Sequence, residues 1–238
     1  MKYSSINSTN FDKKSRKSKN IKFIIIHYTG MQSKRVSIER LTNKKYKVSC
    51  HYLIDRKGQI LQMVDENKVA WHAGKSKWKN QKNLNKNSIG IELINKGHNL
   101  YYESFPKKQI FNLVKLCKKI KKKYKIKNNC ILGHSDIAPL RKLDPGEKFP
   151  WDVLSKKGLG IKKMNFKNKK FFEEKKNFRK IFFKNIFKIG YRYFDVKKKS
   201  KSDTKIIKAF QSKFAQDRVS GKIDKKTLII SHFLAKNA

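Results

Sequence analysis

The stretch I-L-G-H-S-D-I-A-P-L-R-K-L-D-P-G-E-K-F-P-W, from Ile131 to Trp151, decides how the rest of the chain is read. It sets His134, Lys142 and Asp144 in one loop, with Gly133 and Gly146 at its bends and Pro139, Pro145 and Pro150 stiffening it. Proline fixes φ and glycine permits positive φ, so such a loop holds side chains in one geometry at low entropic cost. An imidazole and a carboxylate held together suit a divalent metal. His27, at the end of the apolar run Ile24-Ile25-Ile26, offers a third donor. That run reads as a buried strand, too short to span a membrane. Two His and one Asp leave a fourth position open, the pattern of a catalytic rather than a structural zinc. On spacing alone, the alternative is a core His27 and a loop His134, each satisfied by ordinary hydrogen bonds.

Working outward, four segments occur in order: I-I-I-H-Y-T-G (24–30), W-H-A-G-K-S (71–76), S-I-G-I-E-L (88–93) and G-H-S-D-I-A-P-L-R-K-L-D-P-G-E-K-F-P-W (133–151). Together they resemble the zinc-dependent N-acetylmuramoyl-L-alanine amidases of the type-2 group, whose fold is shared with peptidoglycan recognition proteins. The resemblance spans roughly residues 20–160 and is closest to two-domain bacterial forms that carry a small helical module. It implies one zinc ion on His27, His134 and Asp144, with Glu92 as general base on water at the metal. It implies Lys142 as the fixed cation beside the developing oxyanion. The expected reaction is hydrolysis of the amide between N-acetylmuramic acid and L-alanine, in peptidoglycan or muropeptides, for wall turnover or recycling. A non-catalytic peptidoglycan-binding protein of the same fold is the alternative, and loss of a ligand would mark it.

The residues support these assignments to different degrees. Glu92 sits inside the apolar run I-G-I-E-L-I, where an uncompensated carboxylate is costly. It either pairs with a lysine or faces the cleft. Trp71 is either a core or a groove-wall aromatic, and His72 a candidate lining of the cleft. In the family resembled, this motif flanks the groove, which implies Trp71 and His72, with Tyr28 beside His27, as the expected substrate contacts. Cys50, Cys117 and Cys130 form no C-x-x-C pair. Cys50 precedes His51, but neighbouring strand residues point to opposite faces, which argues against a shared metal.

The 238 residues suffice for one medium domain and a small one. The expected fold is α/β, a mixed central β-sheet flanked by helices, followed by a small C-terminal three-helix domain. The expected division is a flexible basic tail over 1–20, a catalytic domain over 21–160, and a peptidoglycan-binding-like helical domain with its basic linker over 161–238. Within the catalytic part, Val36–Leu41 reads as a short helix. Tyr52–Ile54 and Ile60–Val64 read as a hairpin around Gly58. Lys107–Tyr124 reads as a helix with Ile110, Leu113, Val114, Cys117, Ile120 and Tyr124 on one stripe. Three helical patterns follow, about Phe171–Phe187, Asp203–Phe214 and Lys225–Leu234, with Asp203 and Asp224 as N-caps.

The net charge of +44, from 61 basic and 17 acidic residues, raises nucleic acid as a partner. Lysine dominates over arginine, however, and selected phosphate readout favours arginine forks. The bias fits an AT-rich coding sequence and an anionic wall polymer better, so no specific nucleic-acid partner and a monomeric chain are expected. Residues 1–20 contain no apolar h-region and no lipoprotein-type cysteine. That reads as cytoplasmic, whereas relatives with the two-domain layout are often exported and lipid-anchored.

Overall fold

The computed structural model describes residues 3–161 and 177–237. Among these residues the chain runs β1 (Ser4–Ser5), β2 (Phe11–Asp12), β3 (Phe23–Tyr28), α1 (Lys34–Thr42), β4 (Tyr52–Ile54), β5 (Ile60–Gln62), β6 (Val69–Ala70), β7 (Lys77–Trp78), β8 (Gln81–Lys82), β9 (Ser88–Leu93), α2 (Lys107–Tyr124), β10 (Ile131–Gly133), α3 (His134–Ile137), α4 (Trp151–Lys156), α5 (Phe178–Ile189), α6 (Asp203–Phe214) and α7 (Lys225–Lys236). Six strands form one mixed sheet in the order β1-β5-β4-β9-β3-β10. β3 lies between β9 and β10 and is parallel to both. β4 and β5 make the expected hairpin, with Gly58 at φ +84°.

Parallel strands covered on both faces read as unbroken apolar runs. Phe23 to Ile26 is such a run, and all four residues are buried. One face of the sheet (Ile24, Ile26, Ile89, Ile91) packs on α2 and on Trp151 and Leu154 of α4. The buried stripe of α2 is Ile110, Leu113, Leu116, Cys117 and Ile120, while Val114 and Tyr124 are half-buried. The other face (Phe23, Ile25, Leu132) packs on Phe182, Phe183 and Ile186 of α5 and on Ile206 and Phe210 of α6. The C-terminal helices thus share a core with the sheet. Burying each of these Phe and Ile side chains stabilises the contact by roughly 1.5–3 kcal/mol.

α6 spans its expected residues, and Asp224 caps α7 by accepting from the Thr227 N–H at 2.7 Å. Asp203 differs from expectation. Ser202 holds the cap position, and the Asp203 carboxylate pairs with Arg179 at 2.8 Å. Residues 162–176, which hold the expected linker and the start of the expected helix 171–187, lie outside the described residues; α5 covers the rest.

The expected flexible tail over 1–20 is a correction. From Tyr3 onward it is a strap laid along the sheet. β1 pairs in parallel with β5, and β2 pairs with β6. Arg16 is buried, and its guanidinium donates to the carbonyls of Glu66, Asn85 and Ser88 at 2.7–3.1 Å. Burial lowers its pKa to about 10. A strap held by side-chain-to-carbonyl bonds shows no hydrophobic period, so it reads as a solvated charge run. Arg16→Ala removes the guanidinium donors from three carbonyls, that of Ser88 fully buried. It is expected to cost about 3 kcal/mol and to lower the melting temperature by roughly 6–12 °C. A thermal scan checks this, and an unchanged midpoint would return the strap to a loose tail.

Candidate metal centre

The carboxyl ends of β3, β9 and β10 open on one crevice, the place where parallel sheets present ligands. His27 is the penultimate residue of β3, and Glu92 on β9 is its register partner, so both side chains leave the same face. β10 delivers His134 at the first residue of α3, and the loop after α3 returns Asp144. His27 Nδ1 lies 3.0 Å from His134 Nδ1, and Asp144 Oδ2 lies 3.0 and 3.1 Å from the two. Among the described residues, these three buried side chains form the cluster able to hold a metal ion.

The hydrogen bonds behind the imidazoles determine what they offer. The Ser88 hydroxyl donates to the Leu84 carbonyl at 2.5 Å, so its oxygen accepts from His72 Nε2 at 3.2 Å. A neutral His72 with its proton on Nε2 has an accepting Nδ1, which takes the Nε2–H of His27 at 3.0 Å. His27 Nδ1 is then left as a bare lone pair facing the crevice. His134 Nε2 donates to the Ala73 carbonyl at 3.1 Å, which leaves His134 Nδ1 bare as well. Two backbone carbonyls thereby fix both tautomers, the outer-layer arrangement expected around metal-binding histidines.

Electrostatics agree with a neutral His27 and a neutral His72. Burial, helped by His134, lowers His27 to about 4 against the pull of Asp144. Burial also pushes His72 well below its ordinary value. For Asp144, burial alone would raise the carboxyl, but His134 and His27 overcome it and hold it far below the carboxylate range. Two lone pairs and a carboxylate oxygen about 3 Å apart repel one another unless a cation lies between them. A zinc ion at the usual ~2.0–2.2 Å fits that triangle, and the N, N, O donor set suits zinc.

Glu92 is 8% exposed, and its Oε2 has no hydrogen-bond partner. Burial, with Asp144 adding to it, raises its carboxyl to about 8. Lys142 lines the same cleft, which encloses about 430 Å³, and its charge acts on Glu92 in the opposite sense. Of the expected substrate contacts, Tyr28 reaches the cleft. Its hydroxyl is 2.8 Å from His98 Nδ1, and His98 Nε2 is 3.1 Å from Glu147. Trp71 is not among the residues lining the cleft; its indole donates to Asp12 in the strap at 2.7 Å. His72 touches the cleft but spends both ring nitrogens on His27 and Ser88, so it supports a ligand instead of presenting itself to substrate.

The N-acetylmuramoyl-L-alanine amidase family profile matches residues 17–147, more than half of the chain. The chain is 35% identical over 233 residues to the N-acetylmuramoyl-L-alanine amidase AmiD of Escherichia coli (strain K12), covering 90% of this chain and 82% of that protein. The chain belongs to the N-acetylmuramoyl-L-alanine amidase family. The amidase also matches solved structures along almost its whole length. The complex of AmiD from E. coli with anhydro-N-acetylmuramic acid-L-Ala-D-gamma-Glu-L-Lys superposes with a TM-score of 0.81 at 31% identity, over 95% of this chain and 92% of that one. AmpDH3 from Pseudomonas aeruginosa in complex with anhydromuramic pentapeptide gives 0.81 at 27% identity, over 98% of both chains.

In this amidase the support behind His27 is less legible in sequence than the cluster itself. It runs through Gly90, 18 residues from His72 along the chain. A Cβ on Gly90 would lie 2.3 Å from His72 Cγ, so only glycine lets the imidazole lie on β9. Gly90→Ala is expected to weaken zinc binding about 10–100-fold, the usual cost of losing an outer-layer partner. Chelator-competition titration measures it, and an unchanged affinity would dismiss the His72 support.

Proposed function

We propose that the chain is a zinc hydrolase acting on anhydro-muropeptides or related peptidoglycan fragments released during wall turnover. His27, His134 and Asp144 are the residues that would hold the ion. The observation that carries this reading is the convergence of two bare imidazole nitrogens and a carboxylate oxygen, with both tautomers set by backbone carbonyls. Zinc in such a site supplies Lewis acidity toward the scissile carbonyl and toward water. The peptide ligands in the two solved relatives support a soluble muropeptide as substrate.

The protein's own groups account for the proton transfers. Glu92 takes a proton from the attacking water and returns it to the departing L-alanine nitrogen. Its unpartnered oxygen leaves it free to do both. Lys142, which lines the same cleft, supplies a fixed positive charge where the tetrahedral oxyanion develops. The remaining cleft lining mixes polar residues, including Tyr28, Arg40 and Asn99, with Met31, Leu41, Val48 and Leu143, and its polar groups suit a charged stem peptide.

Lys142→Ala is expected to keep zinc and to lower kcat about 100–1,000-fold with a small change in KM, because its charge meets only the developing oxyanion. Steady-state assay on purified muropeptide gives the split. A rise in KM with unchanged kcat would make Lys142 a ground-state contact.

A further inference from the structure

Three side-chain groups of the C-terminal part reach the loop that carries two of the three cluster residues. Asp136, on α3 two residues after His134, is 1% exposed. Its carboxylate accepts from the Gly133 N–H at 2.8 Å, from Lys213 Nζ at 2.6 Å and from the Tyr191 hydroxyl at 2.5 Å. Lys213 is on α6 and 6% exposed; Tyr191 follows α5 and is fully buried. Lys213 also donates to the Ile131 carbonyl on β10 at 3.3 Å and lies over the Trp151 ring at 4.2 Å. After Asp144, Gln216 Nε2 donates to the carbonyls of Glu147 and Phe149 at 2.6 and 2.7 Å. The loop is thus held before His134 and after Asp144 by residues that follow it by more than forty positions in the chain.

We infer that the C-terminal helical part sets the geometry of the metal ligands, with Lys213, Tyr191 and Gln216 as positioning residues acting through Asp136 and the 147–149 backbone. A buried ion pair is a costly way to hold two elements together, since desolvation takes back much of its Coulomb gain. What it adds is orientation. Asp136 fixes the Gly133 N–H on one side and two C-terminal side chains on the other, so α3 can start at His134 in one rotation only. A separate wall-binding module needs none of these bonds, because its helices would touch the catalytic half through a linker alone. This inference rests on the zinc reading given above.

The test is the zinc dissociation constant of the full chain by chelator competition, with the absorption spectrum of the cobalt-substituted protein as a second readout of ligand geometry. Two variants are used. Lys213→Met with Asp136→Asn removes both buried charges at once and leaves an amide oxygen to accept from Gly133. Gln216→Ala alters a half-buried side chain and retains the core. Leu228→Ala, at a fully buried position of α7 that donates no hydrogen bond to the loop, serves as a control that lowers stability. The expected result is about a tenfold or larger rise in the dissociation constant and a shifted cobalt spectrum for both variants, and neither change for Leu228→Ala. Equal affinity and spectrum in all four proteins would overturn the inference while leaving the zinc site intact. Equal loss in the Leu228→Ala control would also overturn it, by reducing the effect to general destabilisation. If the unaltered chain binds no zinc, the failure belongs to the metal reading.

Discussion

Glu92→Gln is expected to retain zinc and to lose turnover by at least about 100–10,000-fold, the range attached to a positioned general acid–base group. Glutamine keeps the shape and one acceptor but cannot exchange a proton. Oε2 has no hydrogen-bond partner for the substitution to remove. A second readout separates chemistry from folding. Burial and the nearby Asp144 raise the folded carboxyl to about 8 from an ordinary value of 4.5. The folded state therefore holds a proton that the unfolded state releases between those values. In metal-free protein, the stability present below about pH 4.5 is lost progressively as pH rises toward about 8. Over that window the loss is on the order of 4 kcal/mol. Glu92→Gln removes this dependence, so the metal-free variant is expected to be the more stable protein at pH 8. Denaturant melts at pH 5 and pH 8 check the sign. A variant that unfolds, or that loses zinc, would show that Glu92 is a structural or ligand residue.

His134→Ala has the opposite signature: zinc and activity are expected to disappear together. The imidazole is 3% exposed, and its Nδ1 lies 3.0 and 3.1 Å from the other two donor atoms. Removing it leaves one nitrogen and one carboxylate oxygen, too few for tight zinc. The expected fall in affinity exceeds the roughly 10–100-fold that an outer-layer substitution costs. Metal analysis after gel filtration, run beside Glu92→Gln, distinguishes ligand from base. Stoichiometric zinc retained by His134→Ala would mean that the cluster at the end of β3 is a hydrogen-bonded core and no metal centre.

The parts of this molecule that were legible in sequence are those whose chemistry is local or periodic. The run before His27 is apolar because β3 is covered on both faces, and its length marks a strand. α2 shows its buried stripe among lysines because only one face meets the sheet. The long loop from Gly133 to Trp151 announces its rigidity through its prolines and glycines. What stayed hidden depends on contacts between distant residues that leave no pattern. The strap over residues 3–20 is held by Arg16 and by short strands, with little apolar burial. His72 read as a cleft residue because its support for His27 passes through the bare backbone of Gly90. The stripe Ile207, Phe210 and Phe214 predicts a buried helix face, but would look the same against a sheet or within a free bundle. Lys213 carries no signal among 61 lysines and arginines, although it is the one that pairs with Asp136 beneath the loop.

The most direct measurement is zinc content and muropeptide hydrolysis on one purified sample, before and after a strong chelator and again after zinc is returned. The account requires about one zinc per chain, as a single three-donor site implies. It also requires new L-alanine amino termini to appear with the loaded protein, to stop appearing on chelation and to return with zinc. Hydrolysis at full rate after the metal is gone would contradict it.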